Sequence, residues 1–211
     1  MYVPADFAAS DTAVLHAVME ANSFATVISG GKQGLMATHV PVLIDRDRGP
    51  NGVIVAHVAR ANPHWQDLAE GEAMVVFQGP HGYVSPRWYA SPRLVPTWNY
   101  VAVHAYGRAR LVWDANELRT IVTRLAARHE ADAATPWTLD GLPEKQVGAL
   151  LKAIVGVEIP IAKIEGKFKL SQNRTAADRR GVVDALAASA EPGDRALADF
   201  MTRHTMPMEV A

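Results

Sequence analysis

The sequence predicts a mostly β protein with flanking helices, in which an antiparallel Greek-key sheet closes into a barrel. Short runs rich in Val, Ile, Phe and Tyr follow one another closely, and clusters of Gly, Pro, Asn and Asp separate them. Hairpin-sized turns between such runs are typical of strands that close into a barrel. Helical hydrophobic spacing lies before the first of these runs and again after residue 113.

The predicted elements begin with an amphipathic helix after Asp11, a residue type that favours helix N-caps. Five strands follow, at 24–29, 35–44, 52–59, 72–79 and 99–112. A helix at about 116–130 is predicted by the helical spacing of Leu118, Ile121, Val122 and Leu125. The rest of the chain is predicted to be a shorter helix at 144–153, a sixth strand at 154–170 and two helical segments, with Thr175 and Asp178 in a capping arrangement.

Composition narrows the classes of function. With 49% hydrophobic residues and a net charge of -1, the chain is an ordinary globular protein without the overall positive field that attracts nucleic acid. No stretch approaches the roughly 18 consecutive apolar residues of a membrane span, and the N-terminus does not have the pattern of a secretory leader, so a cytoplasmic location is expected. Cysteine is absent, which excludes disulfides and thiolate metal sites and leaves any redox chemistry to a bound cofactor.

We expect one domain over residues 1–211, because no linker or internal repeat divides the chain. Within it, residues at about 114–153 form a helical insertion, and residues at about 175–211 form a helical C-terminal tail.

The first polar cluster lies at the end of the third predicted strand, where "VAHVARANPHW" carries His57, Arg60 and Asn62. A turn that enters a helix presents backbone N–H groups to an anion, and Arg60 adds a planar charged donor, so phosphate is the best-fitting ligand. The alternative is structural, with Asn62 as a helix cap, His57 as a satisfied core residue and Arg60 in solvent. A metal fits less well, because His57 and His64 are seven residues apart without a further ligand at metal-binding spacing.

Two later segments hold the other clusters. Residues 79–107 are too rich in proline for one regular element, and their many aromatic residues either line a flat ligand or an interface or only cover the mouth of a barrel. Residues 163–180 carry six Lys or Arg side chains against Glu165 and Asp178. This excess of positive charge suits a polyanionic ligand or an acidic partner, and its alternative is a solvated surface.

Six stretches of the sequence resemble one known family. In chain order they are "MYVPADF", "HVARANPHW", "VVFQGPHGYVSPRWY", "VPTWNYVAVHAYG", "AIVGVEI" and "IEGKFKLSQNR", and they run from Met1 to about Arg180. Together they resemble the PaiB-like FMN-binding negative transcriptional regulators. This resemblance implies an FMN-binding split β-barrel, related in fold to pyridoxamine phosphate oxidases and flavin reductases, and a homodimer with flavin sites at the subunit interface. The departure from the family pattern is Gly82, where alanine is expected.

The resemblance also implies cofactor-binding residues in four places. The strand and turn that would hold the FMN phosphate supply His57, Val58, Ala59, Arg60 and Asn62. Thr38 and His39 would lie along the edge of the isoalloxazine ring, and Trp98 and Asn99 would cover the ring across the interface. The basic segment that closes on the flavin supplies Lys169, Ser171, Gln172, Asn173 and Arg174. These roles come from the fold relatives rather than from a matched site motif.

The family resemblance implies a flavin-dependent sensor or negative regulator. The sequence shows no helix-turn-helix with a basic recognition helix, so direct DNA binding is not expected and the regulator would act through partners. One alternative is a flavin-dependent oxidoreductase of the NAD(P)H:flavin type, in which FMN supplies the hydride chemistry. A second alternative is a haem-binding split barrel with His39, His57 or His104 as the axial ligand.

Overall fold

The computed structural model describes residues 1–31 and 34–205. The predicted turn at Lys32 and Gln33 and the end of the predicted helical tail, residues 206–211, lie outside the described residues. The helices are α1 (Thr12–Ala21), α2 (His64–Glu70), α3 (Ala115–His129), α4 (Glu144–Lys152), α5 (Ala176–Ala187) and α6 (Pro192–Thr205). The strands are β1 (Ala8–Ala9), β2 (Phe24–Gly31), β3 (Gly34–Pro41), β4 (Leu43–Asp45), β5 (Val53–Ala59), β6 (Glu72–Val84), β7 (Thr97–Arg108), β8 (Arg110–Val112), β9 (Ile154–Pro160) and β10 (Lys163–Lys169).

The chain divides into two compact units. The first unit contains Met1–Asp11, Gln78–Val103 and the residues from Glu165 onward, and the second unit contains Thr12–Phe77 and His104–Ile164. In the first unit the strand order is β1-β10-β7-β6. In the second unit β6, β2 and β3 pair in that order, and a separate four-stranded sheet has the order β4-β5-β9-β8. None of the described helices is both long enough and apolar enough to span a membrane.

The predicted mostly β class with flanking helices is confirmed, but the strands form two open sheets instead of one closed barrel. Three of the predicted strands each break in two, at Val42, at Ala109 and at residues 161–162. At each break the two halves belong to different sheets, as β3 and β4 do. Hydrophobic runs without a turn signal therefore conceal the points at which the chain changes sheet.

Helices α3 and α4 pack against the four-stranded sheet in the second unit. The apolar side chains of this cluster are buried, and they are Leu43, Val53, Val55, Val112, Leu118, Ile121, Leu125, Leu139, Val147 and Leu151. A Cβ atom at Gly156 would lie 2.8 Å from Val112 Cβ and 3.0 Å from side-chain carbons of Leu118 and Ile121. The absence of a side chain at Gly156 therefore lets α3 approach β9 closely.

A network of ion pairs surrounds Glu158, which is only 8% exposed on β9. Both Glu158 oxygens accept from Arg48, at 2.9 and 2.8 Å, and Oε2 also accepts from Arg110 Nη2 at 2.9 Å. The Arg48 hydrogen bond lowers the pKa of Glu158 from its ordinary 4.5, and Arg110 lowers it further, while burial raises it. The network thus connects β9 to β8 and to the segment that follows β4.

Replacing Glu158 by glutamine should destabilise the protein by about 2 kcal/mol, because two arginines lose a charged acceptor in a buried position. The folded state holds the Glu158 pKa below 4.5, so its contribution is complete above pH 4.5 and is lost as the pH falls through the folded value. Urea unfolding at several pH values measures both effects. Glu144→Gln, which removes an exposed ion pair with Arg119, is the control and should change stability by less than about 0.5 kcal/mol.

Candidate functional site

A buried hydrogen-bond network in the second unit joins β3 to the turn after β5. Asn62 Nδ2 donates to Thr38 Oγ1 at 3.1 Å, and Thr38 Oγ1 lies 2.7 Å from His64 Nδ1. The other ring nitrogen of His64, Nε2, lies 2.9 Å from Ser29 Oγ. His64 is 0% exposed and Ser29 is 3% exposed. The network therefore brings Thr38 and Asn62, two predicted cofactor-binding residues, into one hydrogen-bonded group.

Both ring nitrogens of His64 have hydroxyl partners. A neutral imidazole has one donor and one acceptor nitrogen, and the Thr38 and Ser29 hydroxyls can each take either role, so both ring nitrogens are satisfied without a positive charge. Burial lowers the pKa of His64 from its ordinary 6.5, although the nearby Asp67 carboxylate raises it. His64 is thus neutral at physiological pH. Its hydrogen bonds to Ser29 and Thr38 connect the turn after β5 to strands β2 and β3.

The turn at residues 59–64 already uses several of its own backbone N–H groups. Arg60 N–H donates to Ala153 O at 2.8 Å, and Asn62 N–H donates to Ala59 O at 2.9 Å. The N–H of His64 donates to Asn62 Oδ1 at 3.0 Å, so Asn62 acts as the helix cap that the structural alternative predicted. An anion at this turn would therefore be bound by side chains, and the Arg60 guanidinium is the charged donor there.

Arg60 is placed by two tryptophans. Its guanidinium lies 5.0 Å from the centre of the Trp113 ring, and Trp113 meets Trp65 edge to face at 5.2 Å. Trp65 Nε1 donates to Arg60 O at 3.0 Å. Within the described part of the chain Arg60 has no carboxylate partner, and Trp113 is 45% exposed. The positive charge of Arg60 is therefore uncompensated and held at a solvent-facing position.

Strand alternation separates two pairs of predicted site residues. Thr38 lines an internal cavity of ≈ 10 Å³, whereas its neighbour His39 is exposed and stacks on Phe24 with a ring distance of 6.2 Å. The two side chains lie on opposite faces of β3, so they do not line one edge of a ring together.

Strand alternation likewise places His57 and Val58 on opposite faces of β5. Val58 lines the internal cavity, while His57 lies on the face of β5 that carries Val55 and packs toward α3. His57 Nδ1 is buried and has no hydrogen-bond partner among the described residues. Burial lowers the pKa of His57, so its imidazole is neutral. Ala59, the last residue of β5, is exposed.

The remaining predicted site residues lie in the first unit, where some of them are structural. Asn99 is 0% exposed, and its Nδ2 donates to Ser171 Oγ at 2.9 Å. Ser171, two residues after the end of β10, adopts a positive φ of 64°. Gln172 Oε1 accepts from Leu170 N at 2.7 Å, and Gln172 Nε2 donates to Phe168 O. These polar groups are satisfied inside the unit, which favours a folding role over ligand contact.

Trp98 and Lys169, also in the first unit, are more exposed to solvent than Asn99 and Ser171. Trp98 is 47% exposed and stacks on His81 at 5.8 Å, and Lys169 Nζ donates to Trp98 O at 2.7 Å. Burial lowers the pKa of Lys169, and the positive charges of Lys167 and Arg174 lower it further. Asn173 is exposed.

Sequence reasoning did not select several residues that organise these sites. They are Ser29, Trp65 and Trp113 in the second unit and Tyr89 in the first, whereas His64 enters only as a metal-ligand candidate and Arg179 only as one of the six cations of residues 163–180. A signal for His64 was present, because it stands four residues before the buried Leu68 and so shares the inward face of α2. The contacts of the other residues are distant in sequence, and hydrophobic spacing does not reveal them.

The side chains that are present fit a flavin phosphate. Arg60, Lys169 and Arg174 are cations without a carboxylate partner within residues 1–31 and 34–205. Arg60 and Lys169 each lie beside an exposed tryptophan, Trp113 and Trp98 respectively. A phosphate dianion near Arg60 in the second unit, or near Lys169 and Arg174 in the first, would compensate the positive charge there, and exposed aromatic faces suit a planar ring.

The fold places the chain in the class of split-barrel proteins. Among solved structures, the flavocytochrome Anf3 from Azotobacter vinelandii is similar, with a TM-score of 0.54, 18% identity and coverage of 81% of this chain and 70% of that chain. An FAD- and haem-binding protein from Mycobacterium smegmatis has a TM-score of 0.56, 17% identity and coverage of 77% and 73%. At these identities the likeness shows the fold alone.

The sequence comparisons identify the family. The family model described as "Putative FMN-binding domain" matches residues 1–163. The Bacillus subtilis (strain 168) "Protease synthase and sporulation protein PAI 2" is 34% identical over 202 residues, which cover 95% of this chain and 96% of that protein. The chain belongs to this FMN-binding family, which confirms both the PaiB-like resemblance and FMN as the cofactor.

Proposed function

We propose that this protein is a flavin-dependent sensor or negative regulator of the PaiB-like kind, which binds FMN and acts through a partner protein. The observation that carries this proposal is the likeness to the Bacillus subtilis protein over 95% of this chain and 96% of that one. A match of this extent includes the C-terminal helices beyond the family model, so it concerns the organisation of the whole chain and not only a cofactor-binding module.

The chain's own residues would bind and orient the flavin. Arg60 would hold the phosphate by charge, and the Thr38–Asn62–His64 network would keep its turn in place. Trp98, in the first unit, would cover a flavin ring across the subunit interface, with Lys169 fixing the backbone of that residue. When bound, FMN supplies the redox chemistry, so no protein nucleophile is needed.

The C-terminal helices favour a protein partner over DNA. Helices α5 and α6 follow one another closely, as a DNA-reading helix pair would, but a recognition helix is rich in positive charge. The two acidic and two basic side chains of α6 balance, and they are Asp194, Arg195, Asp199 and Arg203. We therefore do not assign direct DNA binding to this surface.

We also propose a homodimer, because each unit exposes large apolar side chains. In the second unit Phe24 is 70% and Leu35 is 85% exposed, and in the first unit Val95 is 65% exposed. Large apolar side chains with this much exposure are candidates for a surface that a partner subunit would cover. Sedimentation at micromolar concentration tests the dimer, and a monomer would contradict it.

Arg60→Ala should weaken FMN binding about tenfold, the effect of one charged hydrogen bond to phosphate, and leave riboflavin binding unchanged. Flavin fluorescence titration of the purified protein measures both affinities. Arg108→Ala is the matched control, since Arg108 is another exposed arginine of the second unit. Equal FMN affinities for the two variants would remove Arg60 from the proposed site.

Experiments on the same purified protein also test the two alternative functions. NAD(P)H oxidation by the FMN-loaded protein with a flavin acceptor would favour the oxidoreductase, and its absence would favour the regulator. For the haem alternative, His57 has a neutral imidazole, and its Nδ1 has no hydrogen-bond partner in the described part of the chain. A Soret band that disappears in a His57→Ala variant would be required to support that function.

A further inference from the structure

The proline-rich loop that follows β6 in the first unit is fixed against helix α5. Asp178, in the first turn of α5, accepts from Ser91 N at 2.8 Å and from Ser91 Oγ at 2.9 Å. A Cβ atom at Gly181 of α5 would overlap the carbonyl oxygen of Trp88. The loop and the helix are therefore in direct contact, and side chains between them have fixed surroundings.

Two buried polar atoms at this loop and helix have no partner among the described residues. Tyr89 is only 8% exposed, yet its hydroxyl makes no hydrogen bond. Arg179 Nε is likewise buried without an acceptor. Both residues border Arg174, whose guanidinium lies 5.6 Å from the centre of the Tyr89 ring and whose carbonyl accepts from Arg179 Nη1 at 2.6 Å. A buried unpaired donor is costly, so the Tyr89 hydroxyl and Arg179 Nε, on two residues that both contact Arg174, indicate an acceptor from outside the chain.

The charge of this region is also uncompensated. Neither Arg174 nor Arg179 has a carboxylate partner in the described part of the chain. The carboxylate that precedes Arg179, Asp178, instead accepts from Ser91 and from Thr175 Oγ1. Those hydrogen bonds lower the pKa of Asp178 to about 2, and the one from the Ser91 backbone N–H contributes most. The Asp178 carboxylate therefore interacts with the loop and does not neutralise Arg174 or Arg179. Helix α5 begins at Ala176, and the positive end of its dipole adds to the field around Arg174.

We infer that Tyr89, Arg174 and Arg179 form a binding site for a small oxyanion, either a phosphate or a carboxylate group. A phenolic O–H and guanidinium N–H groups are the donors that such an anion requires, and a planar guanidinium matches its geometry. The site lies wholly within the first unit. It goes beyond the proposed function, because the proposed phosphate contact is Arg60 in the second unit, and the titrations below distinguish a flavin phosphate from a separate anion at Arg174.

Tyr89→Phe is the sharpest test, because it removes one oxygen atom and no packing. In the absence of ligand the variant should be at least as stable as the wild type, since its buried hydroxyl has no protein partner. Inorganic phosphate should raise the unfolding temperature of the wild type, and the apparent affinity should fall about tenfold in Tyr89→Phe and in Arg174→Ala. Tyr83→Phe and Arg180→Ala are matched controls, because Tyr83 and Arg180 are exposed residues of the same unit and should behave as wild type.

Flavin titrations identify the source of the oxyanion. If Tyr89→Phe weakens FMN binding but not riboflavin binding, the site takes the phosphate of the flavin. If phosphate protection is lost while FMN affinity is unchanged, the site takes a separate small anion. Failure of the wild type to bind any flavin would refute the proposed function. The phosphate experiment would still test the oxyanion site in that case. The inference is overturned if the variants and their controls respond equally to phosphate and to FMN.

Discussion

Replacing His64 by leucine should destabilise the protein by about 3 kcal/mol. Leucine fills a similar volume but removes both hydrogen bonds of the ring, and the buried Ser29 hydroxyl loses its partner. His64→Gln should recover part of the loss, because an amide also offers one acceptor and one donor group to the hydroxyls of Thr38 and Ser29. Urea unfolding measures the change, and the exposed His129→Leu is the control, with less than about 0.5 kcal/mol expected.

Replacing His64 should also change how the stability of the protein depends on pH. The folded state holds the pKa of His64 below its ordinary 6.5, so the unfolded chain takes up the proton first as the pH falls. The stability that neutral His64 contributes is complete above pH 6.5 and declines as the pH falls from there through the folded value. Wild type should therefore lose stability more steeply below pH 6.5 than His64→Gln does. Since His57 behaves alike in both proteins, the difference between them isolates His64, and parallel curves would contradict a buried neutral His64.

Local signals in the sequence predicted the helices well and the path of the strands less well. The helix predicted at about 116–130 is α3, and its Asp114 cap accepts from Asn116 N and Glu117 N at 3.0 Å each. A helix is encoded by neighbours three and four residues apart, which a single sequence displays. The sheet changes at Val42 and Ala109 depend on pairing between distant strands, as between β5 and β9, and no local pattern records them.

The candidate site was also predictable only where its features depend on neighbouring residues in the sequence. The word "ARANPHW" indicated both a phosphate turn and a helix cap, and the structure supplies the cap through Asn62 and an unpaired cation through Arg60. The sequence could not show that Arg60 N–H is already donated to Ala153, since that contact joins segments 93 residues apart. Similarly, Thr38 and His39 are adjacent in sequence, and only the orientation of β3 reveals that they point to opposite faces.

A second large effect is expected at Gly107, on β7 in the second unit. A Cβ atom there would overlap the carbonyl oxygen of Pro160 and lie 2.9 Å from Ile159 Cγ2. The backbone cannot move away easily, because Ala162 N donates to Tyr106 O at 2.8 Å and the following β8 pairs with β9. Gly107→Ala should therefore destabilise the protein by about 3 kcal/mol, at the upper end for overpacking by one methyl group.

The matched control for Gly107 is a glycine that has space around it. Gly148 lies within α4 and a Cβ atom there would contact nothing within 4 Å. Because alanine favours a helix more than glycine does, Gly148→Ala should stabilise the protein by about 0.5–1 kcal/mol. Urea unfolding of both variants should thus give changes of opposite sign. A small effect at Gly107 would mean that β7 can separate from the end of β9, and that close backbone packing at this crossing does not hold the two strands.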